Sequence, residues 1–83
     1  MTPYTADFLL GLIIPGSIPM NGDVDAMDVE FDCRDGWKVN VFYDVGELDY
    51  INHFVTPNGD TVDFWKWPDS DERQRLLCWR GGV

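Results

Sequence analysis

Polar and apolar residues alternate most strictly between Met27 and Cys33: Met27, Val29, Phe31 and Cys33 fall on one side, Asp28, Glu30 and Asp32 on the other. A period of two marks a half-buried strand. Trp37 to Tyr43 repeats it, with Trp37, Val39, Val41 and Tyr43 on one side. The connection decides how the two runs pair. A two-residue loop at Asp35-Gly36 would set Phe31 against Asn40 and cross the faces. A three-residue loop, Arg34-Asp35-Gly36, sets Cys33 against Trp37, Phe31 against Val39 and Val29 against Val41. The second arrangement is expected, as a type I turn that closes on a left-handed Gly36. It also places Asp32 opposite Lys38, a cross-strand charge pair.

The rest of the chain divides around this hairpin. Residues 3 to 13 predict a helix, with Thr2 or Thr5 as cap and a stripe of Tyr4, Phe8 and Leu12 beside Leu9 and Ile13. Gly11 inside it costs about 1 kcal/mol relative to Ala or marks a close approach. Pro15-Gly16 ends it. After Tyr43, a turn at Asp44-Val45-Gly46-Glu47 leads to a third strand from Leu48 to Thr56. Asn58-Gly59 then predicts a type I′ turn that pairs Thr56 with Thr61, Val55 with Val62 and His53 with Phe64. The fourth strand is expected from Thr61 to Trp67, where Pro68 stops it. Asp69 and Glu72 read as an acidic capping box for a closing helix that carries Arg73, Arg75, Leu76, Leu77, Trp79 and Arg80. The fold class expected is α+β: one domain over residues 1–83, a four-stranded antiparallel meander flanked by an N-terminal and a C-terminal helix.

The pattern contains one apolar set too many. One sheet face is expected to hold Met27, Val29, Phe31, Val39, Val41, Ile51, Val55, Val62 and Phe64. The other holds Phe42, Tyr50, Phe54, Trp65 and Trp67 among Asp28, Glu30, Asp32, Asn52 and Asp63. A one-residue slip between the second and third strands would exchange the roles of the last two strands. The second apolar set is covered by one helix per face, by a second subunit or by a partner.

Charge changes the picture further. Fifteen acids against six bases give a net charge of −9 in 83 residues. The Coulomb term then opposes direct binding to nucleic acid or to an anionic membrane and favours a basic partner. Plain solubility accounts for the same acidity. Apolar content of 45%, with 14% aromatic, is that of a globular chain. The run from Phe8 to Ile14 is too short to span a bilayer and lacks the basic flank of a secretion signal. Two cysteines, Cys33 and Cys78, make no disulfide framework. A cytoplasmic protein with free thiols is expected.

Candidate chemistry is thin. His53 is the lone histidine. A zinc site would need Cys33, Cys78 and His53 to converge without any Cys-x-x-Cys spacing, and a cysteine nucleophile with His53 as base rests on residue types alone. The acids at 23, 25, 28, 30 and 32 lack the calcium-loop spacing. No phosphate-binding glycine loop and no Gly-x-Ser-x-Gly is present. The chain is read as non-enzymatic, with no cofactor and no metal.

Gly36-Trp37, Asp44, Leu48-Asp49-Tyr50, His53, Pro57-x-Gly59 and Phe64, with Leu76-Leu77 near the end, form a string that resembles a family of short acidic uncharacterised proteins of pseudomonads and their phages. The likeness covers about half the chain and leaves the N-terminal third unmatched. It implies a bacterial or phage cytosol, where small acidic proteins bind and block host machinery, as anti-CRISPR and anti-restriction inhibitors do. The leading expectation is a phage-type inhibitor that presents an acidic surface to a basic protein or nucleic-acid-binding complex, through Asp28, Glu30, Asp32, Phe42, Tyr50, Asp63, Trp65 and Trp67. The alternative is a homodimeric structural or regulatory protein that buries its second aromatic sheet face.

Overall fold

The computed structural model describes residues 4–19 and 26–79. Helix α1 spans Ala6–Leu12; strands β1, β2, β3 and β4 span Ala26–Asp32, Lys38–Asp44, Glu47–Val55 and Thr61–Val62; helix α2 spans Asp71–Leu77. The strands form one antiparallel sheet in the order β1-β2-β3-β4. The architecture is the α+β meander with terminal helices that the sequence predicts.

The β1–β2 register sets Phe31 opposite Val39, Val29 opposite Val41 and Asp32 opposite Lys38. The turn that produces it differs from expectation. Asp35 and Gly36 both have positive φ, 57° and 81°, and the Trp37 N–H donates to the Arg34 carbonyl at 3.1 Å. This is a type I′ turn over Asp35-Gly36, and Asp tolerates the left-handed region. The Cys33 N–H also donates to the Trp37 carbonyl, at 2.7 Å. Trp37 therefore faces both Cys33 and Arg34, and Arg34 is the extra residue of a bulge. The bulge restores the apolar-to-apolar register that a bare two-residue turn would break.

The third turn is also of another type. The Gly59 N–H donates to the Thr56 carbonyl at 2.9 Å, the Thr56 N–H donates to the Asp60 carbonyl at 2.8 Å, and only Gly59 has positive φ in this loop. Pro57 fixes a negative φ at the first turn position, so a type I turn closing on Gly59 forms instead of type I′. The register moves by one: Val55 pairs with Thr61 and Phe54 with Val62. The expected fourth strand is correspondingly short. It stops at Val62, and Phe64–Lys66 wind into a 3₁₀ turn.

β3 carries two irregularities against β2. Asn40 pairs with His53 but Val41 with Ile51, and Phe42 pairs with Tyr50 but Tyr43 with Leu48. Asn52 and Asp49 are the extra residues. The first bulge turns Phe54 to the inner face beside Val39, where it is fully buried, and sends Val55 outward beside Lys38. Phe54 and Val55 thus exchange the faces expected for them.

Both helices cover the same side of the sheet. Ala6, Leu9 and Leu12 of α1 and Leu76 of α2 join Cys33, Trp37, Val39, Val41, Tyr43, Leu48, Ile51, Phe54, Val62 and Phe64 in one core. The buried line of α1 runs through Leu9; Phe8 is exposed and packs over Tyr4 and Trp37. Thr5 caps α1 by accepting from the Phe8 N–H at 3.1 Å. The cap of α2 is Ser70, which accepts from the Arg73 N–H at 3.2 Å, rather than Asp69, whose carboxylate accepts from the Gln74 side chain. Glu72 serves the other helix instead of its own. Its carboxylate accepts from the Ala6 N–H, the first helical amide of α1. Arg75 binds Asp7 and holds the Asp7 carboxyl below its ordinary range. One hydrogen bond and one ion pair thereby join the two short helices.

Candidate functional site

Because α1 and α2 share one face, no described helix covers the opposite face of the sheet. Its rows follow from the register: Asp28, Phe42 and Tyr50; Glu30, Asn40 and His53; Asp32, Lys38 and Val55. At its β4 side the 3₁₀ turn adds Trp65, with Asp63 beside it.

An aromatic strip crosses this face. Phe42 stacks on Tyr50 with centroids 5.2 Å apart, and Tyr50 meets Trp65 edge-on at 5.4 Å. Trp65 is held at both ends. Its indole N–H donates to the Ile51 carbonyl at 2.9 Å, and its own carbonyl accepts from the Arg73 guanidinium at 3.4 Å. It still keeps 40% of its surface exposed. A tryptophan fixed in place and left open is a ready binding surface, since little side-chain entropy remains to be lost when a partner docks.

Beside the strip lies an open depression of about 470 Å³ lined by Asp28, Tyr50, Asn52, His53, Asp63 and Trp65. Asn52, the extra residue of the bulge, is among its lining residues. The Asn52 amide donates to the Asp28 carboxylate at 2.9 Å and to the Asn40 side-chain oxygen at 2.7 Å, which orients the carboxylate. Carboxylates next to aromatic faces suit a cationic side chain, by charge and by attraction to the ring faces.

Of the expected site residues, Asp28, Tyr50, Asp63 and Trp65 meet in this depression, and Phe42 stacks beneath Tyr50. Glu30 and Asp32 continue the acidic row along β1, away from it. Lys38 lies opposite Asp32, but its ion pair is the diagonal one to Glu30, 3.6 Å away. Among the described residues Asp32 makes no ion pair. Trp67 does not belong to this face: it packs against Phe64 and the core, because the chain leaves the sheet after Val62 and alternation no longer governs where side chains point. Asn52, expected on this face but not as a site member, lines the depression as well, and His53 is brought to this face by the bulge, which nothing in the alternation marks.

Cys33 and Cys78 are free thiols. Cys33 is buried, and burial, with the negative charge of Asp32, pushes its thiol up to about 11. Among the described residues no group of three or more His, Cys, Asp or Glu is placed to hold a metal ion. The acids at 23 and 25 lie outside those residues. No described helix is long and apolar enough to cross a membrane. No family model, curated protein or solved structure matches this chain.

Proposed function

We propose that this chain is a small non-enzymatic binding protein that engages a basic, nucleic-acid-binding partner and occludes it, in the manner of a phage-type inhibitor. One observation carries the reading: both helices sit on one side of the sheet, so the face bearing Asp28, Glu30, Asp32, Asp63 and the Phe42–Tyr50–Trp65 strip is open. A net charge of −9 supplies long-range attraction to a cationic surface. The acids of β1 repeat every second residue, about 6.6–6.8 Å apart, and can stand in for a row of phosphates. The fixed aromatic strip supplies the apolar anchoring that charge alone lacks.

Capture from bacterial lysate with the parent and with a triple variant, D28N/E30Q/D32N, tests this. The expected outcome is a nucleic-acid-binding protein retained at low salt by the parent, lost at high salt and poorly held by the variant. Its nucleic-acid binding should fall when the parent is added. Equal capture by both chains contradicts the reading. The exposed Trp65 also admits a homodimer through the aromatic strip. Light scattering separates the two: a monomer at micromolar concentration is expected, and a dimer with Trp65 protected from quenchers favours the second.

A further inference from the structure

The acidic row lies on an edge strand. Among the described residues β1 has one neighbour, β2, and its other side is open over seven residues. The hydrogen-bond parity is fixed by the Cys33 N–H donating to the Trp37 carbonyl. In a regular antiparallel ladder this turns the amides and carbonyls of Met27, Val29 and Phe31 toward β2. Those of Asp28, Glu30 and Asp32 then point outward, to the open edge. The residues that carry the charge also carry the unpaired backbone.

The inner side of the same edge is unfinished as well. Met27 is 42% exposed, and Val29 and Phe31 are only half-buried where the residues opposite them, Val41 and Val39, are fully buried. The helices reach across β2 and β3 but leave the apolar row of β1 partly open. β1 therefore offers a backbone ladder, a row of carboxylates on one side of it and a row of apolar side chains on the other.

We propose that β1 receives an extended strand in which lysine or arginine alternates with apolar residues, as an added fifth strand. In such a ladder, residues directly opposite each other share a face. Basic residues would lie against Asp28, Glu30 and Asp32, and apolar ones would extend the core beside Met27, Val29 and Phe31. A second copy of β1 does not fit. Antiparallel pairing about Glu30 would put Glu30 against Glu30 and Asp28 against Asp32, and like charges directly opposite destabilise a sheet. The acids thus exclude self-pairing and admit a strand of the opposite sign. This inference rests on the basic-partner reading above and states which part of the surface the partner meets.

The probe is a synthetic peptide alternating lysine and valine, matched to the seven residues of β1. Amide hydrogen exchange of the labelled chain is followed by NMR with and without it. The amides of Asp28, Glu30 and Asp32 should exchange fast in the free chain and slow at least about tenfold with peptide bound, while those of Val29 and Phe31 are protected throughout. Two N-methylated forms of the peptide keep its charge and composition. Methylation of the lysine amides, which face β1, should weaken binding by about tenfold or more, and methylation of the valine amides should not. Equal binding by both forms, or binding without new protection at Asp28, Glu30 and Asp32, overturns the added strand and leaves the basic-partner reading standing. Absence of binding by any of these peptides at low salt overturns both.

Discussion

Val45→Asn should stabilise this protein although it replaces an apolar residue with a polar one. Asp44 pairs with Glu47, so Val45-Gly46 is a two-residue loop, and both residues have positive φ, 52° and 77°. That is a type I′ turn, whose preferred first residue is Asn. A left-handed backbone costs an L-residue about 1–2 kcal/mol, and a β-branched side chain is among the worst placed there. Asn tolerates it. Little apolar burial is forfeited, because Val45 is 78% exposed. Full burial of a valine is worth about 1.5–3 kcal/mol, so the buried fifth or so is worth at most about 0.6 kcal/mol. The net expectation is a gain of about 1 kcal/mol, a rise in Tm of about 4–8 °C for a chain of this size. Urea melts followed by tryptophan fluorescence, with thermal melts alongside, measure it. Val45→Thr is the control: it adds polarity but keeps the branch, and should gain little. A neutral or destabilised Val45→Asn, or a Val45→Thr that gains as much, would refute the argument from backbone strain.

Gly11→Ala should also stabilise, by about 1 kcal/mol in the same melts, since a Cβ built there meets nothing within 4 Å and Gly11 lies inside α1. Phe64→Ala should cost about 3–5 kcal/mol, because Phe64 is fully buried, and Phe31→Ala on the half-open edge strand should cost clearly less. Iodoacetamide with mass spectrometry should label the exposed Cys78 in the folded protein and Cys33 only after unfolding. The raised Cys33 thiol adds a pH signature: its contribution to stability is intact below about pH 9 and is lost as pH rises toward about 11, so Cys33→Ser should flatten the alkaline limb of a stability profile.

The hairpin β1–β2 is legible because one strand alternates without a fault and only one register matches apolar with apolar. The meander follows from turn residues at regular intervals. The type of each turn is less legible. Asp35-Gly36 and Pro57-Asn58-Gly59 each contain a residue pair that fits two loops, and an adjacent bulge or proline decides between them. The bulge at Asn52 leaves no mark in the pattern, and it alone moves Phe54 into the core and brings His53 out to the depression. Trp67 lands on the wrong surface when periodicity is carried past the point where the strand ends. Glu72 reads as a local cap. Its use by α1 depends on how the two helices pack, which no local pattern encodes.

The most direct test of the proposed function is the rate at which the chain meets the basic partner that the proposal expects it to capture. In the triple variant, Asn at position 28 can still accept from Asn52, and Gln at position 30 gives up only an exposed ion pair to Lys38, worth about 0–1 kcal/mol. The fold should therefore persist, with Tm nearly unchanged. Charge steering acts mainly on the on-rate and is screened over about 8 Å at physiological ionic strength. Stopped-flow association over a series of salt concentrations should find the variant several-fold slower than the parent at low salt, with a flatter salt dependence. A variant that associates as fast as the parent, with the same salt slope, would contradict the claim that the acids of β1 guide this protein to its partner.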